Sequence, residues 1–204
     1  MKYSESFNLR LPKELIDMRE GYKQAGIPCA LNETLNYLTL VCSARAPKEI
    51  LEIGTATGIS GTAMLKISSA RLTTIEKDED SYLIAKKNFE YFGVSDRVKQ
   101  FLGDAGDVIT FLDKKFDLIF LDGAKARYYD YLYDIKRLLN EGGVLFADNV
   151  LFRGYVDGGV RYRHSDNTIV RNMRDFLDDV INDENYISSV VEIGDGVLVA
   201  VKIK

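Results

Sequence analysis

The chain of 204 residues is short of several things that mark large protein classes. It has two cysteines, Cys29 and Cys42, and no CxxC pair. No disulfide is needed, and both thiols, set in an apolar stretch of helical appearance, read as buried and reduced. No apolar run approaches the length that crosses a bilayer, and residues 1–24 lack the continuous apolar segment of a secretion signal. A cytoplasmic protein with no membrane partner is therefore expected. Positive charge is scarce too: 27 Lys and Arg stand against 31 Asp and Glu, for a net charge of -4. That argues against nucleic-acid binding through global positive charge, while a local basic patch stays open. Repeats, linkers and low-complexity tracts are absent. With 46% hydrophobic residues the length suits one core rather than two. We read a single domain over 1–204, with N-terminal helices in 1–46 and an α/β core in 47–204.

What is present is an alternation of apolar strand signals with amphipathic helical ones, the pattern of a doubly wound, mostly parallel sheet. Helices are predicted near 11–25 and 31–44. Strands follow near 49–53, 72–76, 97–101, 117–121 and 143–147, with helices near 59–67, 79–92, 105–112, 128–139 and 167–182. Pro47 stops the helix before the first strand. Two last strands, 186–193 and 197–202, joined by Gly194-Asp195-Gly196, give a hairpin signal.

Three strand ends carry acids: Leu51-Glu52-Ile53-Gly54-Thr55-Ala56-Thr57-Gly58, then Leu121-Asp122-Gly123-Ala124-Lys125, then Phe146-Ala147-Asp148-Asn149. Open α/β sheets bind ligands at such ends. Gly54 and Gly58 let the backbone turn tightly and approach a ligand. Their spacing is neither the G-x-G-x-x-G dinucleotide fingerprint nor a P-loop, which favours a ligand without phosphates and disfavours an NAD-linked oxidoreductase. Glu76 ends the second predicted strand at about the offset where an acid receives ribose hydroxyls. Alone it would read as a solvated acid; after the glycine turn we read it as a ribose ligand. Asp104 faces an adenine edge or caps the helix that follows, and both readings stand.

Asp122, Asp148 and Asn149 offer two carboxylates and an amide oxygen, with no nearby His or Cys. Such a set suits Mg²⁺, with Mn²⁺ or Ca²⁺ as alternatives, and leaves coordination positions open.

These residues carry a resemblance. Ile50 to Ser60, Thr74-Ile75-Glu76, Gly103-Asp104-Ala105, Asp122-Gly123-Ala124-Lys125 and Asp148-Asn149-Val150-Leu151-Phe152-Arg153-Gly154 together resemble the divalent-cation-dependent catechol/caffeoyl-CoA type of class I O-methyltransferases, over residues 27–204. The resemblance implies a Rossmann-like, seven-stranded methyltransferase fold, mostly parallel with a C-terminal antiparallel hairpin. It implies S-adenosyl-L-methionine as cofactor, with Glu52, Gly54, Ser60 and Ala30 around its methionine end, Glu76 on the ribose, Asp104 and Ala105 beside the adenine, and Asp122 as a further cofactor-binding and catalytic residue. Asp122, Asp148 and Asn149 become metal ligands and Lys125 the catalytic lysine. A homodimer is a further expectation. Ile59 departs from the aromatic residue often found there. No acid after Asn149 matches the one that grips the second hydroxyl in animal catechol enzymes.

Adjacent open metal positions favour acceptors with two neighbouring oxygens, such as a catechol or a 5-hydroxyuridine base. Residues 153–174 contain Arg153, Arg161, Arg163, Arg171 and Arg174 in an otherwise acidic chain, and arginine forks suit phosphates. The segment also resembles bacterial transfer-RNA 5-hydroxyuridine methyltransferases. That likeness places Arg153, Tyr155, Arg161 and Arg163 toward RNA, with Tyr155 or Tyr162 stacking on a splayed base. Transfer RNA is the favoured acceptor and a small catechol-like molecule the alternative, with a non-catalytic nucleoside- or RNA-binding module a third reading. His164, the sole histidine, is given no role. Tyr128, Tyr129, Tyr131 and Tyr133 are too densely spaced to face one ligand and point to packing or a subunit contact.

Overall fold

The structure is a computed structural model and describes residues 11–204. Two helices, α1 (Lys13–Gln24) and α2 (Asn32–Arg45), precede the sheet. The alternation follows: β1 (Glu49–Ile53), α3 (Ile59–Ile67), β2 (Arg71–Glu76), α4 (Glu79–Tyr91), β3 (Val98–Leu102), α5 (Ala105–Phe111), β4 (Phe116–Leu121), α6 (Tyr128–Leu138), β5 (Leu139–Asp148), α7 (Asn167–Ile181), β6 (Tyr186–Val191) and β7 (Val197–Lys202). Ends are set by local chemistry. Ala46 takes a left-handed conformation after α2 (φ 48°) just before Pro47, and the Asp78 carboxylate accepts the Ser81 N–H at 2.8 Å to cap α4.

The strands form one sheet in the order β3-β2-β1-β4-β5-β7-β6. Pairing is parallel from β3 to β5, and β7 lies antiparallel between β5 and β6. The predicted α/β class and terminal hairpin are therefore observed. Strand order reverses between β1 and β4, which places a crevice beyond their carboxyl ends.

One boundary differs from expectation. β5 begins at Leu139, directly after α6, and its register against β4 slips between Phe116 and Leu118. Gly142, at φ 70°, absorbs the irregularity. Sequence periodicity detects only the apolar part that follows it.

The core has two layers, one on each face of the sheet. Leu51, Ile53, Ile119, Leu121, Leu145 and Ala147 pack on the side of α6 and α7. Ile50, Leu118, Phe120, Val144 and Phe146 pack on the side of α2, α3 and α4. Successive side chains alternate across a sheet. Glu52, Asp122 and Asp148 therefore continue the second set, and three carboxylates converge on the same face at the carboxyl ends. Among the described residues no helix is long and apolar enough to cross a membrane.

Candidate active site

The glycine turn is built on the neighbouring strands. The Gly54 N–H donates to the Ile75 carbonyl at 3.0 Å, and the Asp122 N–H donates to the Ile53 carbonyl at 3.0 Å. Gly54 sits at φ 99°, and a Cβ there would lie 2.2 Å from the Asp122 carbonyl oxygen. Only glycine lets β1 leave the sheet this close to β4. At Gly58, φ 75°, a Cβ would meet the Phe89 ring at 2.9 Å, so the same freedom is used to start α3.

Two cavities meet over this turn. One, of about 300 Å³, is lined by Glu76, Asp104, Ala105, Ala124, Arg127 and Tyr131 among others. The second, of about 290 Å³, is lined by Ala30, Ser60, Asp122, Lys125, Asp148 and Asn149 together with Cys29 and Leu31. Gly54, Ala56, Asp122 and Gly123 border both. The sequence-derived candidates that line a cavity thus fall into two groups joined at Asp122.

Glu76 is already engaged: Oε2 accepts the Ala56 N–H at 2.8 Å, and Oε1 accepts those of Lys77 and Asp78 at 2.8 and 3.0 Å. It stiffens the glycine turn and keeps lone pairs for hydroxyl donors on the cavity side. Asp104 is the N-cap of α5, with Oδ1 accepting the Gly106 N–H at 2.8 Å, and it lines the first cavity as well. Its two readings are compatible. Arg127 also lines this cavity, paired with Asp130 at 2.6 Å and over the Tyr131 ring.

Glu52 lines neither cavity. It is fully buried beneath α3, accepting from the Ser60 hydroxyl at 2.6 Å and the Thr74 hydroxyl at 2.7 Å. Thr74 in turn meets Thr55 at 2.5 Å. Burial pushes its carboxyl up to about 7, against the pull of these hydrogen bonds. It touches the second cavity through Ser60.

Asp122 and Asp148 share a desolvated corner. Asp148 is 1% exposed, and its Oδ1 accepts the Asn149 N–H at 2.7 Å. Burial raises both carboxyls, the charge of Asp148 raises Asp122 further, and the ammonium of Lys125 opposes both shifts. Among the described residues neither carboxylate has an ion-pair partner. Uncompensated buried carboxylates are costly, and with the Asn149 amide oxygen they offer a hard-oxygen set that could hold a divalent cation. Among the described residues no group of three or more His, Cys, Asp or Glu is arranged to hold a metal; the set here has two carboxylates and an amide.

Asn149 itself is left-handed (φ 58°), as are Phe152 (42°) and Arg153 (60°). The tip of the β6–β7 hairpin fastens this strained segment. The Asp195 carbonyl accepts the Leu151 N–H at 3.0 Å, and the Asp195 carboxylate accepts the Arg153 N–H at 2.5 Å.

Arg153, Tyr155, Arg161 and Arg163 border neither cavity. The Tyr155 ring packs on Phe152 and Tyr162 at centroid distances of 5.6 and 5.7 Å, and Arg174 donates to the Val156 and Tyr155 carbonyls. Both tyrosines pack against the core. The guanidinium of Arg174 is likewise committed to the fold. Arg153, Arg161, Arg163 and His164 are exposed.

Cys29 lies in the loop between α1 and α2 rather than in a helix, half-buried, with its thiol 3.7 Å from the Thr57 hydroxyl. Cys42 is buried within α2 as expected. Two supporting residues, Asn88 and Arg19, escaped the sequence reading, and a third, Tyr128, reads there only as packing or a subunit contact. Tyr128 is buried, and its hydroxyl lies 3.2 Å from the Leu121 carbonyl and 3.1 Å from that of Asp148, bolting together the ends of β4 and β5. Asn88 donates to the Thr57 carbonyl at 2.8 Å, and Arg19 is buried under the α1–α2 loop. Helical spacing marks Tyr128 and Asn88 as inward-facing, but nothing local names their partners.

Comparison with known proteins bears on this geometry. A family model described as O-methyltransferase matches residues 10–203. Bovine catechol O-methyltransferase is 36% identical over 140 residues, a match covering 61% of this chain and 52% of the bovine one. The chain thus spans about half the length of that relative. A Staphylococcus aureus protein provisionally named a caffeoyl-CoA O-methyltransferase superposes with a TM-score of 0.84 at 30% identity, covering 92% of this chain and 91% of that one. The S-adenosylhomocysteine-bound methyltransferase PaMTH1 of Podospora anserina superposes with a TM-score of 0.83 at 25% identity, covering 94% and 88%.

Proposed function

This chain belongs to the O-methyltransferase family, and from that premise we propose that it moves a methyl group from S-adenosyl-L-methionine to a hydroxyl oxygen that stands beside a second oxygen on a small, catechol-like or acyl-CoA-like acceptor. The observation that carries this reading is the junction at Asp122. A cavity bordered by a ribose-type acid meets one bordered by two uncompensated carboxylates, an amide oxygen and a lysine. We assign Asp122, Asp148 and Asn149 as ligands of a divalent cation, Mg²⁺ in the first instance. Such an ion, when bound, supplies Lewis acidity that lowers the pKa of an acceptor hydroxyl.

The roles of the chain's own groups follow from position. The glycine turn admits the donor without a Cβ in the way. Glu76 holds the ribose, and Asp104 with Ala105 borders the base. Lys125 takes the acceptor's hydroxyl proton or faces the oxygen anion that its loss leaves. The oxygen then forms its bond to the methyl carbon while the carbon–sulfur bond breaks, and the sulfonium charge is lost with S-adenosylhomocysteine as leaving product. Holding both reactants in line contributes on the order of 7–11 kcal/mol to lowering the barrier.

A second reading keeps the reaction and takes 5-hydroxyuridine of transfer RNA as acceptor. It is supported by the exposure of Arg153, Arg161 and Arg163 along the segment that leaves Asn149. Labelled donor offered with Mg²⁺ to a catechol, to caffeoyl-CoA and to RNA carrying 5-hydroxyuridine separates the two. We expect label in a small acceptor; label in RNA alone would give preference to the second reading. Asp122→Ala should lower turnover at least a hundredfold while circular dichroism stays native. Unchanged turnover in that variant would sink the assignment of Asp122 as a cation ligand.

A further inference from the structure

Among the described residues Arg19 is the largest side chain enclosed by the protein, 2% exposed, and no role described so far uses it. It stands four residues after Leu15, itself 1% exposed, so the buried stripe of α1 contains a guanidinium where a hydrophobic residue is the rule. A charge so placed needs partners. Nε and Nη2 both donate to the Ala30 carbonyl, at 2.9 and 2.5 Å, and Nη1 donates to Glu20 at 2.6 Å. Two N–H groups on one acceptor fix direction as well as distance, which a lysine ammonium does not reproduce.

The acceptor is well placed. The chain reverses after α1 at Gly26, φ 74°, with the Ile27 N–H returning to the Tyr22 carbonyl at 2.9 Å. Residues 28–31 then run along the second cavity as part of its lining. The same helix reaches the glycine turn by a separate route: the Tyr22 hydroxyl contacts Asn88, whose Nδ2 donates to the Thr57 carbonyl. α1 thus ties down two walls of one cavity through different residues.

We propose that Arg19 is a positioning residue for the cofactor site, its guanidinium fixing the Ala30 carbonyl so that residues 28–31 form a rigid wall at the methionine end. This rests on the methyltransferase reading above. Among the described residues the hydrogen-bond partners of Arg19 belong to α1 and this wall, so its loss frees the wall and leaves the sheet intact.

The test measures S-adenosylhomocysteine affinity by calorimetry and the melting temperature of each protein. The set is wild type, Arg19→Met, Arg19→Lys and, as a control of α1 packing, Leu15→Ala. Arg19→Met should weaken binding about tenfold or more, the loss typical of hydrogen bonds from a charged donor. Arg19→Lys should fall between it and wild type. The acceptor KM at saturating donor should stay within twofold. Leu15→Ala should lower the melting temperature with little effect on affinity. Binding by both Arg19 variants within twofold of wild type, or an equal loss of affinity in Leu15→Ala, would overturn the proposal. Should Arg19→Met fail to fold, Arg19→Lys against Leu15→Ala decides by the same criteria. No binding by wild type would overturn the cofactor reading itself, and this inference with it.

Discussion

Glu52→Gln tests whether the acid beneath the glycine turn is held at a cost. Burial takes the carboxyl from 4.5 to about 7, and each tenfold change in proton affinity is about 1.4 kcal/mol. Ionised Glu52 therefore lowers stability by up to about 3 kcal/mol relative to its protonated form. The folded pKa lies above the unfolded one, so between about 4.5 and 7 the folded protein keeps a proton that the unfolded chain has released. Stability falls as pH rises through that window and is level above it. Glutamine cannot ionise. Its carbonyl still accepts from Ser60, and its amide can donate to Thr74, whose hydroxyl then turns toward Thr55. Urea unfolding at pH 5, 6, 7 and 8, in EDTA so that cations do not occupy Asp122 and Asp148, gives the comparison. Those two carboxyls titrate in both proteins and cancel in the difference, apart from the small lift that the Glu52 charge gives Asp122. The variant should gain on wild type from pH 5 to pH 8 by about 2.5 kcal/mol, and a gap that stays constant with pH would refute the reasoning.

Gly54→Ala should destabilise the protein by about 3 kcal/mol and abolish S-adenosylhomocysteine binding. The reason is a left-handed conformation combined with a Cβ 2.2 Å from the Asp122 carbonyl oxygen; denaturant unfolding and calorimetry read both effects. Tyr128→Phe leaves two buried carbonyls without their shared donor. It should cost about 1–3 kcal/mol of stability and weaken Mn²⁺ binding, followed by electron paramagnetic resonance, while leaving cofactor affinity unchanged.

Part of this protein is determined locally. Each strand except β5 is marked within two residues of its observed start, because apolar runs bounded by turn residues have few other conformations that bury them. Gly54, Glu76, Asp104, Asp122, Asp148 and Asn149 are legible as a site because parallel sheets bring strand ends together, and the sequence already says where strands end. What distance along the chain cannot convey, the tertiary structure decided. Even spacing from the apolar positions of each strand turns Glu52, Asp122 and Asp148 to one face, yet only the packing of α3 puts Glu52 under cover while Asp148 borders the cavity. The arginines of residues 153–174 read alike in sequence, but Arg174 holds backbone carbonyls while Arg153, Arg161 and Arg163 stay exposed, and Tyr155 packs on its neighbours. Arg19 and Tyr128 gain their partners only on folding, since a hydrogen bond to a distant carbonyl leaves no trace in the composition around its donor.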